Sequence, residues 1–194
     1  MEFRVARTCF AVASFFLLLA GAGCGSSNSA PPTAAELGQK YKFSATDVSG
    51  WQLDPNDPAG AFQVVEEGQP GHDLVSLIDG GADTYTNAGC TVTVYEYLRG
   101  TGSQTGTLYA MYMGTDANAT ALFNSQKDSY SASDPIPGFD ASVAVGRASG
   151  SSGTAYAHFG TMFIKLTMSG FDGDATAEYQ AAVPILNVLK SRTN

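Results

Sequence analysis

Three acidic side chains have a spacing that metal or acid–base chemistry can use. Asp79 and Asp83 stand four residues apart, on one side of a predicted helix, and Glu96 follows in the next predicted strand. Neighbouring carboxylates hold hard cations or share a proton. These three residues are therefore the weak candidates for a metal or catalytic site. The alternative is a solvated flank whose carboxylates cap neighbouring elements.

The histidine, serine and cysteine residues lack the neighbouring residues that a metal site or a catalytic site requires. His72 and His158 are the two histidines, and no cysteine cluster accompanies them for zinc. No Gly-x-Ser-x-Gly motif, which would present a catalytic serine, follows a predicted strand. The Ser- and Gly-containing residues 149–153 are therefore predicted to be a hairpin turn. Phosphate-loop and dinucleotide motifs are absent from the sequence. Cys90 is interpreted as a small buried hydrophobe. We therefore predict no cofactor and favour a protein that is not an enzyme.

Aromatic residues give a second candidate site. Tyr95 and Tyr97 are two residues apart, and the apolar Val92, Val94 and Leu98 alternate with them along the chain, so both tyrosines are predicted to point to one face of a strand. Four side chains on later strands are predicted to line a similar face: Tyr156, His158, Phe163 and Lys165. An open face of amphipathic rings binds sugars, peptides or proteins, which makes Tyr95, Tyr97 and Tyr156 the candidate ligand-binding residues. The alternative is that residues 40–66, including Trp51, fold across this face and bury it.

The elements that position these residues alternate between hairpins and helices. Helices are predicted over residues 73–88, 115–128 and 174–190, and strands over residues 90–98, 105–113, 142–148, 154–159 and 161–168. Consecutive strands favour antiparallel pairing over a doubly wound parallel fold. The sequence therefore predicts an α+β fold, with an antiparallel sheet of about five or more strands and helices packed on it.

The N-terminus has the organisation of an export signal. Arg4 and Arg7 precede an apolar run over residues 10–20, which is too short to span a bilayer as a helix. Small residues at 21–23 then lead to Cys24, and this stretch resembles a bacterial lipoprotein signal, although Gly21 stands where such signals usually have leucine. The resemblance implies that the Cys24 thiol carries a lipid and that acyl chains anchor the protein.

This interpretation divides the chain into three parts. Residues 1–23 are predicted to be a signal peptide, and residues 24–39 a lipidated cysteine followed by a flexible Gly/Ser/Pro-rich tether. Residues 40–194 are predicted to be a single domain. Gly25, rather than aspartate, follows the cysteine, which by analogy with sorting in two-membrane bacteria implies the outer membrane, facing the periplasm, if the host has one.

A family resemblance covers residues 73–123 well and residues 45–190 loosely. The motif begins at Leu74, continues through Ile78-Asp-Gly-Gly-Ala-Asp83 and Tyr85, and includes Glu96-Tyr97 and Met111-Tyr-Met113-Gly. It resembles domain-of-unknown-function family 6599, whose members often look like exported proteins or lipoproteins. The family typically has Asn and Glu where this chain has Asp79 and Asp83. The resemblance implies no activity.

Composition narrows the partners. The 194 residues include 10 Lys and Arg against 18 Asp and Glu, for a net charge of −8, so a nucleic-acid partner is not expected. The expected partners are membrane lipid through Cys24 and an envelope protein or small-molecule ligand. We predict a lipid-anchored cell-envelope protein that acts as a non-catalytic binding or accessory module. The alternatives are an envelope hydrolase or metal-dependent enzyme that uses the carboxylates, and a structural envelope component.

Overall fold

The fold is described from a computed structural model. It describes residues 30–57, 60–69, 74–78, 80–129, 133–149 and 152–193. Within these ranges, the helices are α1 (Ala34–Tyr41), α2 (Ala82–Asn87), α3 (Asp116–Asp128) and α4 (Ala175–Thr193), with a 3₁₀ helix at Leu74–Ser76. The strands are β1 (Gln52–Leu53), β2 (Phe62–Glu66), β3 (Val92–Arg99), β4 (Thr105–Tyr112), β5 (Asp134–Pro135), β6 (Ala144–Ser149), β7 (Ser152–Phe159) and β8 (Met162–Ser169).

All eight strands join one antiparallel sheet. Its order is β1-β3-β4-β8-β7-β6-β5, and β2 pairs with β3 beside β1. Three hairpins supply most of the sheet: β3–β4, β6–β7 and β7–β8. The pairing of β4 with β8 connects segments that are distant in the chain. The prediction of an α+β fold built on an antiparallel sheet is confirmed.

Helices cover both faces of this sheet. On the α1/α4 face, α4 packs against β7 and β8, and α1 packs against β2 and β3. The apolar side chains of this face include Val94, Leu108, Ile164 and Leu166. On the α2/α3 face, the 3₁₀ helix, α2 and α3 cover a second cluster that includes Met111, Phe123 and Phe163. The sheet therefore separates two distinct cores.

Helix α1 corrects the predicted tether. Residues 24–39 were expected to be flexible, but Ala34–Tyr41 is helical and the compact unit begins at Pro31. Thr33 and Glu36 form a capping box: the Glu36 N–H donates to the Thr33 hydroxyl, and the Thr33 N–H donates to the Glu36 carboxylate at 2.7 Å. Leu37 and Tyr41 are buried, so packing stabilises this short helix.

The predicted helix over residues 73–88 is wrong in one respect. It is two short pieces, the 3₁₀ helix Leu74–Ser76 and α2 at Ala82–Asn87. Gly80 and Gly81 between them have φ angles of 76° and 81°. This left-handed conformation is open to glycine and interrupts a right-handed helix. The glycines therefore interrupt the predicted helix and lie directly before α2.

Residues 42–51, here called the strap, cross the α1/α4 face. Trp51 at the end of the strap belongs to the same core as Leu98 and Met168. Residues 40–66, including Trp51, are the predicted alternative cover for the face that carries Tyr95. Trp51 lies in the core on the opposite side of the sheet, whereas Asp57 of the same segment accepts a hydrogen bond from the Tyr95 hydroxyl, so this segment covers the face only in part. Among the described residues, no helix is long and apolar enough to cross a membrane.

Candidate functional site

Strand register aligns a row of side chains across the α2/α3 face. Tyr95 lies opposite Tyr109, Tyr109 lies opposite Lys165, and Lys165 lies opposite Tyr156. His158 and Phe163 lie opposite each other in the neighbouring row. The prediction that the later strands extend the face of Tyr95 and Tyr97 is therefore confirmed.

Two of the three candidate tyrosines are buried on this face. Tyr95 is 5% exposed, its ring centroid is 5.3 Å from that of Tyr109, and its hydroxyl donates to Asp57 Oδ2 at 2.7 Å. Burial, followed by the Asp57 carboxylate, raises the Tyr95 pKa. Tyr156 is also 5% exposed, and its ring lies 6.2 Å from that of Phe163. The expected open groove of three rings is therefore wrong for Tyr95 and Tyr156.

Tyr97 is the candidate that reaches solvent. Its side chain is half-buried near the C-terminal end of β3. Its hydroxyl has no hydrogen bond with any residue in the described ranges. A half-buried ring with an unused hydroxyl keeps both the apolar surface and the polar tip that ligand binding uses.

Lys165 lies in the same row between two tyrosine rings. Its Nζ atom is 5.6 Å from the centroid of Tyr109 and 5.9 Å from that of Tyr85. Burial lowers the Lys165 pKa, and the side chain is half-buried. No hydrogen bond or ion pair joins its ammonium group to the residues that the structure describes. An ammonium group carries three N–H donors, so its hydrogen-bonding capacity is unused.

Hydroxyl side chains form the next row along the sheet. Tyr97 lies opposite Thr107, Thr107 opposite Thr167, and Thr167 opposite Thr154. The Thr154 and Thr167 hydroxyl oxygens are 3.1 Å apart. Thr107 has no side-chain hydrogen bond with a described residue. All four side chains are half-buried, so each contacts solvent.

We call these four residues and Lys165 the polar patch. It combines one positive charge, one aromatic ring and three threonine hydroxyls on a rigid sheet surface. Central strands keep their side-chain spacing because backbone hydrogen bonds hold them on both sides. This arrangement can bind a small polar ligand by direct hydrogen bonds and ring stacking.

The sheet separates the candidate carboxylates. Asp83 is exposed in the first turn of α2, on the α2/α3 face. Glu96 is buried on the α1/α4 face, between the positions of Tyr95 and Tyr97 on the other side. Asp79 lies outside the described residues. Among the residues that are described, no three His, Cys, Asp or Glu side chains are grouped to hold a metal. The predicted cluster of Asp83 with Glu96 is therefore wrong.

Glu96 has a different environment from the one expected. Its side chain is 0% exposed, and its Oε1 atom accepts a hydrogen bond from the Phe43 N–H at 2.7 Å. Its Oε2 atom has no hydrogen-bond partner. Burial raises the Glu96 pKa to about 8. The carboxyl group therefore binds the strap to β3 and is mostly protonated at neutral pH.

The remaining reactive side chains have structural partners. Cys90 is buried, and burial raises its pKa to about 11, in agreement with the interpretation as a small hydrophobe. His158 has its Nε2 atom 2.9 Å from the Ser142 carbonyl oxygen and its ring 5.0 Å from the Phe123 ring. Cys24 and His72 lie outside the described residues.

Sequence reasoning noted Lys165 but missed Thr107 and Thr167 as site residues. Their alternation along β4 and β8 was visible in the sequence. The pairing of these two strands was not, because 50 residues or more separate the partners in the chain. The β3–β4 hairpin places Thr107 beside Tyr97, and only the β4–β8 pairing adds Thr167 to the row.

Comparisons with known proteins identify no function for the chain. No family model matches it, and no curated protein matches it. Among solved structures, it is similar to the extracellular domain of PknH from Mycobacterium tuberculosis, with 12% identity and a TM-score of 0.49. The match covers 83% of this chain and 98% of that chain. A likeness at this level carries no argument about function.

Proposed function

We propose that this protein is a lipid-anchored module of the bacterial cell envelope that binds a small polar ligand without catalysing its reaction. The observation that carries the binding role is the polar patch, where Lys165, Thr107 and Tyr97 keep unused hydrogen-bonding groups on a half-buried surface. Half-buried polar groups without protein partners are available to hydrogen-bond with a ligand.

The anchor rests on the sequence. Small residues precede Cys24, and a Ser-rich polar stretch over residues 25–30 separates this cysteine from Pro31, where the compact unit begins. The resemblance to family 6599 agrees with export. The proposal includes the outer membrane, facing the periplasm, as the location in a host with two membranes.

Amide NMR of the full-length protein in detergent micelles tests the binding role. The protein is titrated with a panel of small saccharides, amino acids, dipeptides and inorganic phosphate. We expect shifts concentrated on β3, β4 and β8 around Thr107, because ligand contacts change the amides nearest to them. Thr107→Val should weaken this binding, while Thr120→Val, a half-buried threonine on α3, should leave it unchanged.

Two results would contradict the binding role. One is a panel in which no ligand shifts the patch. The other is a set of shifts confined to a different surface, such as the groove of about 250 Å³ that Gly38, Phe62 and Val64 line. A stable protein partner in place of a small ligand would favour the structural alternative.

The anchor has its own test, which is independent of the ligand. Cys24→Ser in the native host should abolish incorporation of labelled palmitate and move the protein from the membrane fraction to the soluble fraction, because serine cannot form the thioether. Cys9→Ser, in the predicted leader, is the matched control and should leave both unchanged. Membrane association that survives Cys24→Ser would overturn the anchor.

A further inference from the structure

We propose that the polar patch binds an acidic saccharide, with Lys165 pairing with its carboxylate and the row of Tyr97, Thr107 and Thr167 binding its hydroxyl-bearing ring. This inference rests on the proposed binding function and names the class of ligand. It follows from the partners that these side chains have in the structure and from those that they lack.

The Lys165 ammonium provides the positive charge of the site. The Lys165 ammonium is held between the rings of Tyr85 and Tyr109, at 5.9 Å and 5.6 Å. The rings attract a cation but accept no conventional hydrogen bond. Since no described carboxylate pairs with it, this ammonium is a preorganised site for an anion. A partly desolvated charge gains more from a partner than an exposed one does.

The charges near Lys165 favour a singly charged anion. Lys165 supplies a single positive charge, and Asp57 lies in the same part of the face, where it accepts from the Tyr95 hydroxyl at 2.7 Å. Burial and, after it, the Asp57 carboxylate raise the pKa of both Tyr95 and Tyr109, so the negative charge of Asp57 acts on this row. A monoanionic carboxylate meets less repulsion in this field than a phosphate dianion does.

The row of Tyr97, Thr107 and Thr167 has the length and the hydroxyl groups to bind a sugar ring. Neighbouring strands lie about 4.8 Å apart, so the row of Tyr97, Thr107 and Thr167 spans about 10 Å, which is room for one hexose ring. The hydroxyls of Tyr97 and Thr107 are unused, and a hydroxyl both donates and accepts. The half-buried Tyr97 ring offers a flat apolar surface for the C–H face of a sugar.

Position along the strand joins the two subsites. Lys165 and Thr167 are two residues apart on β8, and their side chains point to the same face. Their Cα atoms are therefore about 7 Å apart. Tyr109 and Thr107 repeat this spacing on β4. A carboxylate attached directly to a sugar ring bridges that distance, whereas a free carboxylate contacts Lys165 alone.

The test uses amide NMR titrations of the full-length protein in detergent with four probes: glucuronate, glucose, acetate and glucose 6-phosphate. Glucuronate should bind at the patch more tightly than each of the others. Lys165→Met keeps the unbranched apolar stem of the side chain and removes the ammonium group, so glucuronate affinity should fall by at least about tenfold, as expected for a lost charged hydrogen bond. Glucose affinity should change little.

A matched variant separates the site from general electrostatics. Lys190 also lies over an aromatic ring, with its Nζ 5.6 Å from the Phe139 centroid, but it is exposed on α4. Lys190→Met removes the same charge and should leave glucuronate affinity unchanged. Equal losses for the two variants would overturn the assignment to Lys165.

The other outcomes distinguish this inference from the function beneath it. Equal binding of glucose and glucuronate, with no effect of Lys165→Met, overturns the carboxylate site but keeps a binding module. Tighter binding of glucose 6-phosphate makes the ligand a phosphate and overturns the inference. Acetate that binds as well as glucuronate overturns the saccharide. Absence of patch binding by these probes, together with patch binding by another ligand of the wider panel, overturns the inference alone.

Discussion

Glu96 places a carboxyl group in the apolar core between β3 and the strap. The folded-state pKa of this group is about 8, above its ordinary value of 4.5, because burial disfavours the charged form. Its contribution to stability is therefore present below pH 4.5 and is lost as the pH rises through 8. The groups that act on it are Arg192 and Lys42, which favour ionisation, and Asp47, which opposes it.

We expect Glu96→Gln to flatten this pH dependence. Glutamine keeps the acceptor for the Phe43 N–H and cannot ionise, so it resembles the protonated acid. Urea unfolding should show similar free energies of unfolding for both proteins at pH 5. At pH 9 the variant should be more stable, by an amount on the order of a few kcal/mol. Glu66→Gln, at an exposed strand position, is the control and should change the profile little. Parallel profiles for wild type and Glu96→Gln would contradict this assignment.

The Tyr95 hydroxyl gives a second prediction at the scale of a residue. Tyr95→Phe removes its hydrogen bond to Asp57 Oδ2 and should lower the free energy of unfolding by about 1–2 kcal/mol. Tyr97→Phe removes a hydroxyl that has no described partner and should change it by less than about 0.5 kcal/mol. Chemical denaturation at pH 7 measures both. Equal effects would show that the bond to Asp57 does not stabilise the fold.

At the scale of elements, the contact between β6 and α4 leaves no room for a side chain at Gly146. A Cβ atom built there would overlap the Tyr179 ring, and the Tyr179 hydroxyl donates to Asp134 Oδ2 at 3.1 Å. The ring is thus fixed at both its edge and its tip. Close packing of this kind makes an added methyl group costly.

We therefore expect Gly146→Ala to destabilise the protein by about 1–3 kcal/mol, because Tyr179 and the start of α4 must move. Ala148→Ser, two residues further on the same strand at an exposed position, is the matched control and should be nearly neutral. Thermal unfolding of both variants is the measurement. A neutral Gly146→Ala would mean that α4 is not held against β6 as described.

The elements also show how far local patterns reach. The hairpins, the Thr115 cap of α3 and the long C-terminal helix were all evident in the sequence, because each depends on residues close in the chain. Helix α1 was missed, since residues 24–39 were judged by their Gly, Ser and Pro content, although Thr33 and Glu36 have the spacing of a capping box. The break before α2 depended on the φ angles of Gly80 and Gly81, which periodicity does not reveal.

The candidate site was less predictable than the fold, for the same physical reason. Alternation shows which residues of β3 share a face, and it identified Tyr95 and Tyr97 correctly as neighbours. It does not show which elements cover that face, so the burial of Tyr95 was left open. Nor does it show that β3 has Glu96 on the opposite side of the sheet from Asp83. Those facts depend on the long-range packing of two separate cores.

At the scale of the whole molecule, Cys90 reports on the α2/α3 core. Its thiol is buried, and its pKa is raised to about 11. A protonated, inaccessible thiol reacts slowly, because the thiolate is the nucleophile. At pH 8 we expect Cys90 of the native protein to resist iodoacetamide and to react fully in 6–8 M urea, as mass spectrometry of the peptide that contains it would measure. Rapid labelling without urea would show that this core opens readily.

Arg192 connects the two ends of the described fold. Its guanidinium donates to the Tyr41 carbonyl at 2.9 Å, lies 2.8 Å from the Asp47 carboxylate and stacks 4.9 Å from the Phe43 ring. With the proposed anchor at Cys24, mechanical load would enter the fold through α1 and the strap. Through Arg192, the last turn of α4 contacts both α1 and the strap. We therefore expect the C-terminal helix to determine the pulling force at which α1 separates from the sheet. Arg192→Ala would lower the rupture force without touching the anchor, and the protein would then yield first at its N-terminal edge.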